Sequence, residues 1–143
     1  MKKTIIALFL SLIFSSTMLY ADQMQFMRDM AHANPVPNYM SIIKANEDKL
    51  GLNDDQKMKV MTWKKKNGKK MAAMVQSVID GEAQIKAASM DGTSHVEISA
   101  MTQKLMAARS KIIAGKTTCR DYMMGVLTDA QWKQLVDIIK AGK

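Results

Sequence analysis

From Ile98 to Val126, apolar and small residues recur without a gap: Ile98, Met101, Leu105, Ala108, Ile112, Gly115, Cys119, Tyr122 and Val126, spaced alternately by three and four positions. That repeat lines one side of an α-helix of about 30 residues. A helix cannot bury its own stripe, so a second helix of similar length must lie against it. The preceding segment supplies one. Asn53 is a helix cap with Gln56 three residues on, the pattern of a capping box, and the helix it opens is expected to run to about Met90. Met71, Met74, Val75, Val78 and Ile85 mark its inner side, and Gly68 and Gly81 mark places for a bend or a close helix approach. Asp91-Gly92 is a turn, and Ser94 with Glu97 forms a second capping box.

Shorter helices flank this pair. Thr128 with Gln131 opens a terminal helix whose inner face holds Trp132, Leu135, Val136 and Ile139. Upstream, a helix over about Asn38–Leu50 turns Met40, Ile43 and Leu50 inward, and Gly51 ends it in the left-handed conformation. Before Pro35 and Pro37, a further short helix is expected over Asp22–Ala33. The fold class is therefore all-α: an elongated antiparallel helical hairpin with short flanking helices. Two helices touching along one seam leave much apolar surface uncovered, which favours a homodimer.

The 143 residues suffice for one domain, and 48% hydrophobic residues exclude a disordered tail. Met1, Lys2 and Lys3 read as a positive n-region, Thr4 to Phe14 as an apolar stretch, and Ser15 to Ala21 as a polar end, so residues 1–21 are expected to be a signal peptide cut after Ala21. An uncleaved membrane anchor is the alternative. The remaining single domain, 22–143, is assigned to the periplasm, where nucleic acid is a poor explanation for positive charge. It keeps 19 basic and 13 acidic residues, a net +6, and 13 of the 15 methionines.

The positive charge is concentrated. Between Gln56 and Ile79 there are seven lysines, Lys57, Lys59, Lys64, Lys65, Lys66, Lys69 and Lys70, and no acid, so the rest of the exported chain is nearly neutral. One reading is a solvated helix face. The other is electrostatic capture of acidic segments, with Lys57, Lys64, Lys65, Lys69 and Lys70 beside Met61, Met71 and Met74, whose flexible side chains re-pack around varied partners. An anionic membrane surface is a third use of the same charge; Trp63 amid these lysines reads first as a packed staple, with such an interface as its other use.

Methionine spacing supports a rival. Met24, Met27 and Met30 followed by His32, and the pairs Met58/Met61 and Met71/Met74, put thioethers on shared helix faces. Thioether and imidazole together suit Cu(I), and Cys119 with Met123 one turn away is a second soft-metal pair, so a copper or zinc ion is the cofactor this rival would carry. Helical periodicity alone produces the same spacing, and Cys119 lies in the heptad stripe as a small buried residue would, an intermolecular disulfide being its other use. Nothing resembles a Ser-His-Asp set, a Gly-rich phosphate loop or a pair of buried carboxylates, and the acids cluster at helix starts where capping explains them, so no enzyme activity and no obligatory cofactor are expected.

Leu52-Asn53-Asp54-Asp55-Gln56 and Leu127-Thr128-Asp129-Ala130-Gln131 repeat one signal: leucine, cap, acid, then glutamine. Each is a helix start in its own right, with leucine as staple and aspartates at the positive helix end. The pair, set on an exported helical chain, resembles the LTXXQ signature of the Spy/CpxP family of periplasmic stress proteins over about Leu50 to Lys140; Asn53 stands where threonine is usual. The resemblance implies a hooked hairpin that dimerises antiparallel into a thin cradle and holds unfolding envelope proteins without ATP. It also implies relatives that restrain a sensor kinase and others that bind metal ions.

Overall fold

The structure, a computed structural model, describes residues 34–142. The expected signal peptide and the helix over 22–33 lie outside the described residues. So do Met24, Met27, Met30 and His32.

The compact unit from Val36 onward is all-helical, with no strand among the described residues. Its helices are α1 (Tyr39–Ala45), α2 (Asp54–Met90), α3 (His95–Val126) and α4 (Asp129–Ala141). The two long helices pack against each other as an antiparallel hairpin. At a rise of about 1.5 Å per residue, the 37 residues of α2 reach about 55 Å.

Each long helix starts where its cap requires. Asn53 is extended (φ −75°, ψ 170°), its side chain accepts the Gln56 N–H at 2.9 Å, and the Gln56 side chain accepts the Asn53 N–H at 3.1 Å. Thr128 and Gln131 repeat both bonds, at 3.3 and 2.9 Å, and open α4. Ser94 accepts from the Glu97 N–H at 3.3 Å, but its box is not reciprocal: the Ser94 hydroxyl donates to the Glu97 carboxylate at 2.7 Å instead. The Ser94 hydroxyl thus accepts and donates at once, and the Glu97 carboxyl is used by it rather than by the cap's backbone N–H.

The first helix is shorter than its pattern predicts. It stops at Ala45, because the Asn46 side chain turns back to the Ile42 carbonyl at 2.8 Å. The chain then folds over Asn46–Gly51 through backbone bonds from Leu50 to Asn46 (2.9 Å) and from Leu52 to Glu47 (3.2 Å). Gly51 closes this turn at φ +62°, and Gly92 closes the hairpin at φ +73°. Both positions need a residue without a Cβ cost in the left-handed region.

Every residue of the 98–126 stripe is half-buried or buried. Its counterpart on α2 runs through Gln56, Val60, Trp63, Asn67, Met71, Met74, Val78, Gly81 and Ile85, also spaced by three and four. Contacts fix the register: Trp63 stacks on Tyr122 with ring centroids 4.3 Å apart, Met71 and Met74 lie over Gly115, and Leu105 packs on Gly81. A Cβ on Gly81 would lie 3.3 Å from Leu105, and one on Gly115 2.9 Å from the Met71 methyl, so these glycines mark close approach. Gly68 does not. It is exposed, and α2 passes through it unbroken.

The core is gathered at the open end of the hairpin, where α1, the start of α2, the end of α3 and α4 meet. Ile43, Leu50, Leu52, Val60, Cys119, Met123, Leu127 and Leu135 form one buried cluster, with Tyr39 stacked on Trp132 at 5.5 Å along its side. Toward the turn the burial thins to Val78 and Ile112.

Candidate functional site

The two leucine-to-glutamine boxes meet. Gln56 donates to the Val126 carbonyl at 2.9 Å and to the Gln131 side-chain oxygen at 2.8 Å. Gln131 donates to the Gly51 and Leu50 carbonyls, each at 3.2 Å, and to the Gln56 side-chain oxygen at 3.2 Å. Gly51 and Val126 each directly precede the leucine of a box, so each glutamine caps its own helix and also binds the carbonyl entering the other motif. The result is a pseudo-symmetric latch joining α2 to α4. Gln56 is buried, and its donors and acceptor are all used. Leu52 and Leu127 sit in the core on either side. These six motif residues, Leu52, Asn53, Gln56, Leu127, Thr128 and Gln131, hold the hairpin's base together and leave its long shaft free for contact.

The shaft carries the charge. Lys64, Lys65, Lys66, Lys69 and Lys70 are exposed on α2, and Lys57 is half-buried. Lys59 is tied to Asp55 at 2.7 Å, and that hydrogen-bonded carboxylate raises its pKa. Of the methionines expected beside the lysines, Met61 is 37% exposed, whereas Met71 and Met74 are half-buried against Gly115. Met58, Met106 and Met124 are more open, at 62%, 51% and 50%. Their positions off the 3,4 stripe explain why.

Sequence reasoning on α2 alone missed the second half of this surface. From Ile98 to Arg120, α3 has five basic residues, Lys104, Arg109, Lys111, Lys116 and Arg120, and again no acid. The antiparallel register brings much of this stretch beside the lysine-rich part of α2. Three of the five are engaged: Arg109 with Glu82, Arg120 with Asp121, and Lys116, whose ammonium donates to the Val36 carbonyl at 3.0 Å. Burial lowers the Lys116 pKa. Lys104 and Lys111 have no ion pair among the described residues, and with Lys70 they flank a shallow groove between the long helices. An acid count along the second stripe would have found them.

Of the residues expected to hold metal, Met24, Met27, Met30 and His32 lie outside the described residues, and Cys119 and Met123 are buried. Cys119 is a free thiol in the core cluster beside fully buried Met123. Burial pushes its pKa up, against smaller opposing effects of hydrogen bonding to the Met40 backbone and the Trp63 side chain, so the thiolate that a metal takes is disfavoured. Among the described residues, no three His, Cys, Asp or Glu side chains cluster to hold an ion. Trp63 is half-buried in its stack on Tyr122, packed as a staple, and no described helix is long and apolar enough to cross a membrane. Comparison of the chain with protein-family models, with curated proteins and with solved structures finds no match.

Proposed function

We propose that the protein is a periplasmic, ATP-independent chaperone or envelope-stress adaptor, binding unfolded envelope proteins or a sensor-kinase domain along the hairpin shaft. The observation that carries this reading is the charge distribution: two helical stretches that face each other over part of their length, 56–79 and 98–120, contain basic residues and no acid of their own, with open methionines among them. Positive charge over such a length draws in acidic segments, and thioether side chains then accommodate varied apolar groups. The latch of Gln56 and Gln131 supports the division of labour, since it fixes the base through buried bonds and needs nothing from the shaft. The resemblance to the Spy/CpxP pattern points the same way.

The experiment is suppression of aggregation of a chemically unfolded, acidic client, followed by light scattering without nucleotide. Suppression is expected at low salt, with marked loss near 0.5 M-order salt, where the screening length is only a few ångströms. Simultaneous K64E, K65E, K69E and K70E should abolish it while the helical spectrum is retained. No suppression at any ratio, together with a tight copper or zinc isotherm by calorimetry, would replace this reading by metal binding.

A further inference from the structure

We propose that the groove between α2 and α3 docks an acidic amphipathic helix of a partner protein. This rests on the client-binding reading above and narrows it to one recognition element. The groove is open, of about 480 Å³, and its apolar lining is short: Ala73, Ala107 and Ala108, with Met74 at the seam. Short side chains leave room for the ridge of a third helix. Both walls are helices whose backbone groups are already paired within themselves, so the groove offers an extended chain no ladder to join. A helix, whose backbone satisfies its own bonds, docks there with no hydrogen bond lost, and it holds the side-chain spacing that a flexible chain would have to be ordered to match.

The charges specify the rest. Lys104 and Lys111 are seven residues apart on one wall, about 10.5 Å along the axis, and Lys70 stands on the other wall. All three are exposed and form no ion pair among the described residues. Carboxylates seven residues apart on an incoming helix match the Lys104–Lys111 spacing, and the partner's small apolar stripe then faces the alanines. By helical spacing Lys66 continues the Lys70 flank toward the core end, up to Lys59, which Asp55 holds.

The test uses the whole protein and labelled peptides about three heptads long, read by fluorescence anisotropy. One peptide has glutamates seven apart beside an alanine and leucine stripe, one has the same residues scrambled, and one carries a central proline. The patterned peptide should bind at least about tenfold tighter than the other two, and K104E with K111E should remove that advantage. A peptide with lysine in place of glutamate should then bind the K104E/K111E protein better than the original does, which a merely unfolded variant would not show. Equal binding of all three peptides, insensitivity to K104E/K111E, or tighter Lys104-dependent binding to vesicles of phosphatidylglycerol and phosphatidylcholine would each overturn the proposal. If the protein suppresses aggregation and yet shows no peptide preference, the groove proposal alone falls; if it does neither, the client-binding reading falls with it.

Discussion

At the scale of single residues, Gln56 and Gln131 each do two things, and only one was legible beforehand. Their capping role follows from local spacing, since the bond partners lie three residues away. Their mutual contact depends on a register linking positions 75 apart, which no local pattern encodes. Gln131→Ala leaves the Gly51 and Leu50 carbonyls and the Gln56 amide short of a partner, at an expected cost of about 1–3 kcal/mol in urea unfolding. Because the two side chains share bonds, the double variant Gln56→Ala/Gln131→Ala should cost less than the two single losses added. Cys119 gives a pH prediction. Its folded pKa lies above the ordinary 9.0, so the folded state favours the neutral thiol and stability is lost as pH rises past 9.0 toward the folded value. Cys119→Ala should lower stability at neutral pH through a small cavity, and the gap from the parent should narrow between pH 9 and the folded pKa. A constant gap would show the thiol is not held neutral. In the native protein a thiol reagent should label Cys119 only as fast as the base of the hairpin opens.

At the scale of elements, the heptad stripe of α3 was readable residue by residue because side-chain period is a local property of a helix. Helix α1 was not read correctly: Asn46 ends it through a side-chain bond that apolar periodicity does not register. Nor did composition distinguish the glycines. Gly68 is exposed within α2 and meets only the Lys64 side chain at 4.0 Å, so Gly68→Ala should stabilise by about 0.5–1 kcal/mol, the usual gain in a helix interior. Gly115→Leu should destabilise by more than about 1 kcal/mol: a Cβ alone needs only the flexible Met71 methyl to move from 2.9 Å, but the rest of a leucine must also displace Met74, whose methyl lies 3.8 Å from that Cβ. Thermal or urea unfolding of the two variants checks both signs. Two equal shifts would contradict the proposed register.

At the scale of the whole unit, the core is confined to one end of the hairpin and the charge is not. The buried cluster and the glutamine latch lie at the base, the shaft toward Asp91-Gly92 has a thin seam, and the exposed lysines run from beside Val60 and Trp63 out to Lys70, with Lys104 and Lys111 on the facing helix. Local stability should follow: in native-state hydrogen exchange, amides around Val60 and Met123 should be protected to the global limit, and those around Met90 and Ile98 should exchange through smaller openings. The lysines of α2 were visible as a run without acids. Their joining by Lys104 and Lys111 was not, because only the antiparallel pairing places the two helices' flanks on one groove.

The central claim is that this shaft recognises its partners first by charge. Its most direct test is the affinity of the whole protein for an unfolded acidic client, titrated at rising salt, beside the variant carrying K64E, K65E, K69E and K70E. Affinity of the parent should fall by at least about tenfold between 50 mM-order and 500 mM-order salt, while the variant binds weakly with little salt dependence. Parent and variant binding with the same affinity, unmoved by salt, would contradict it.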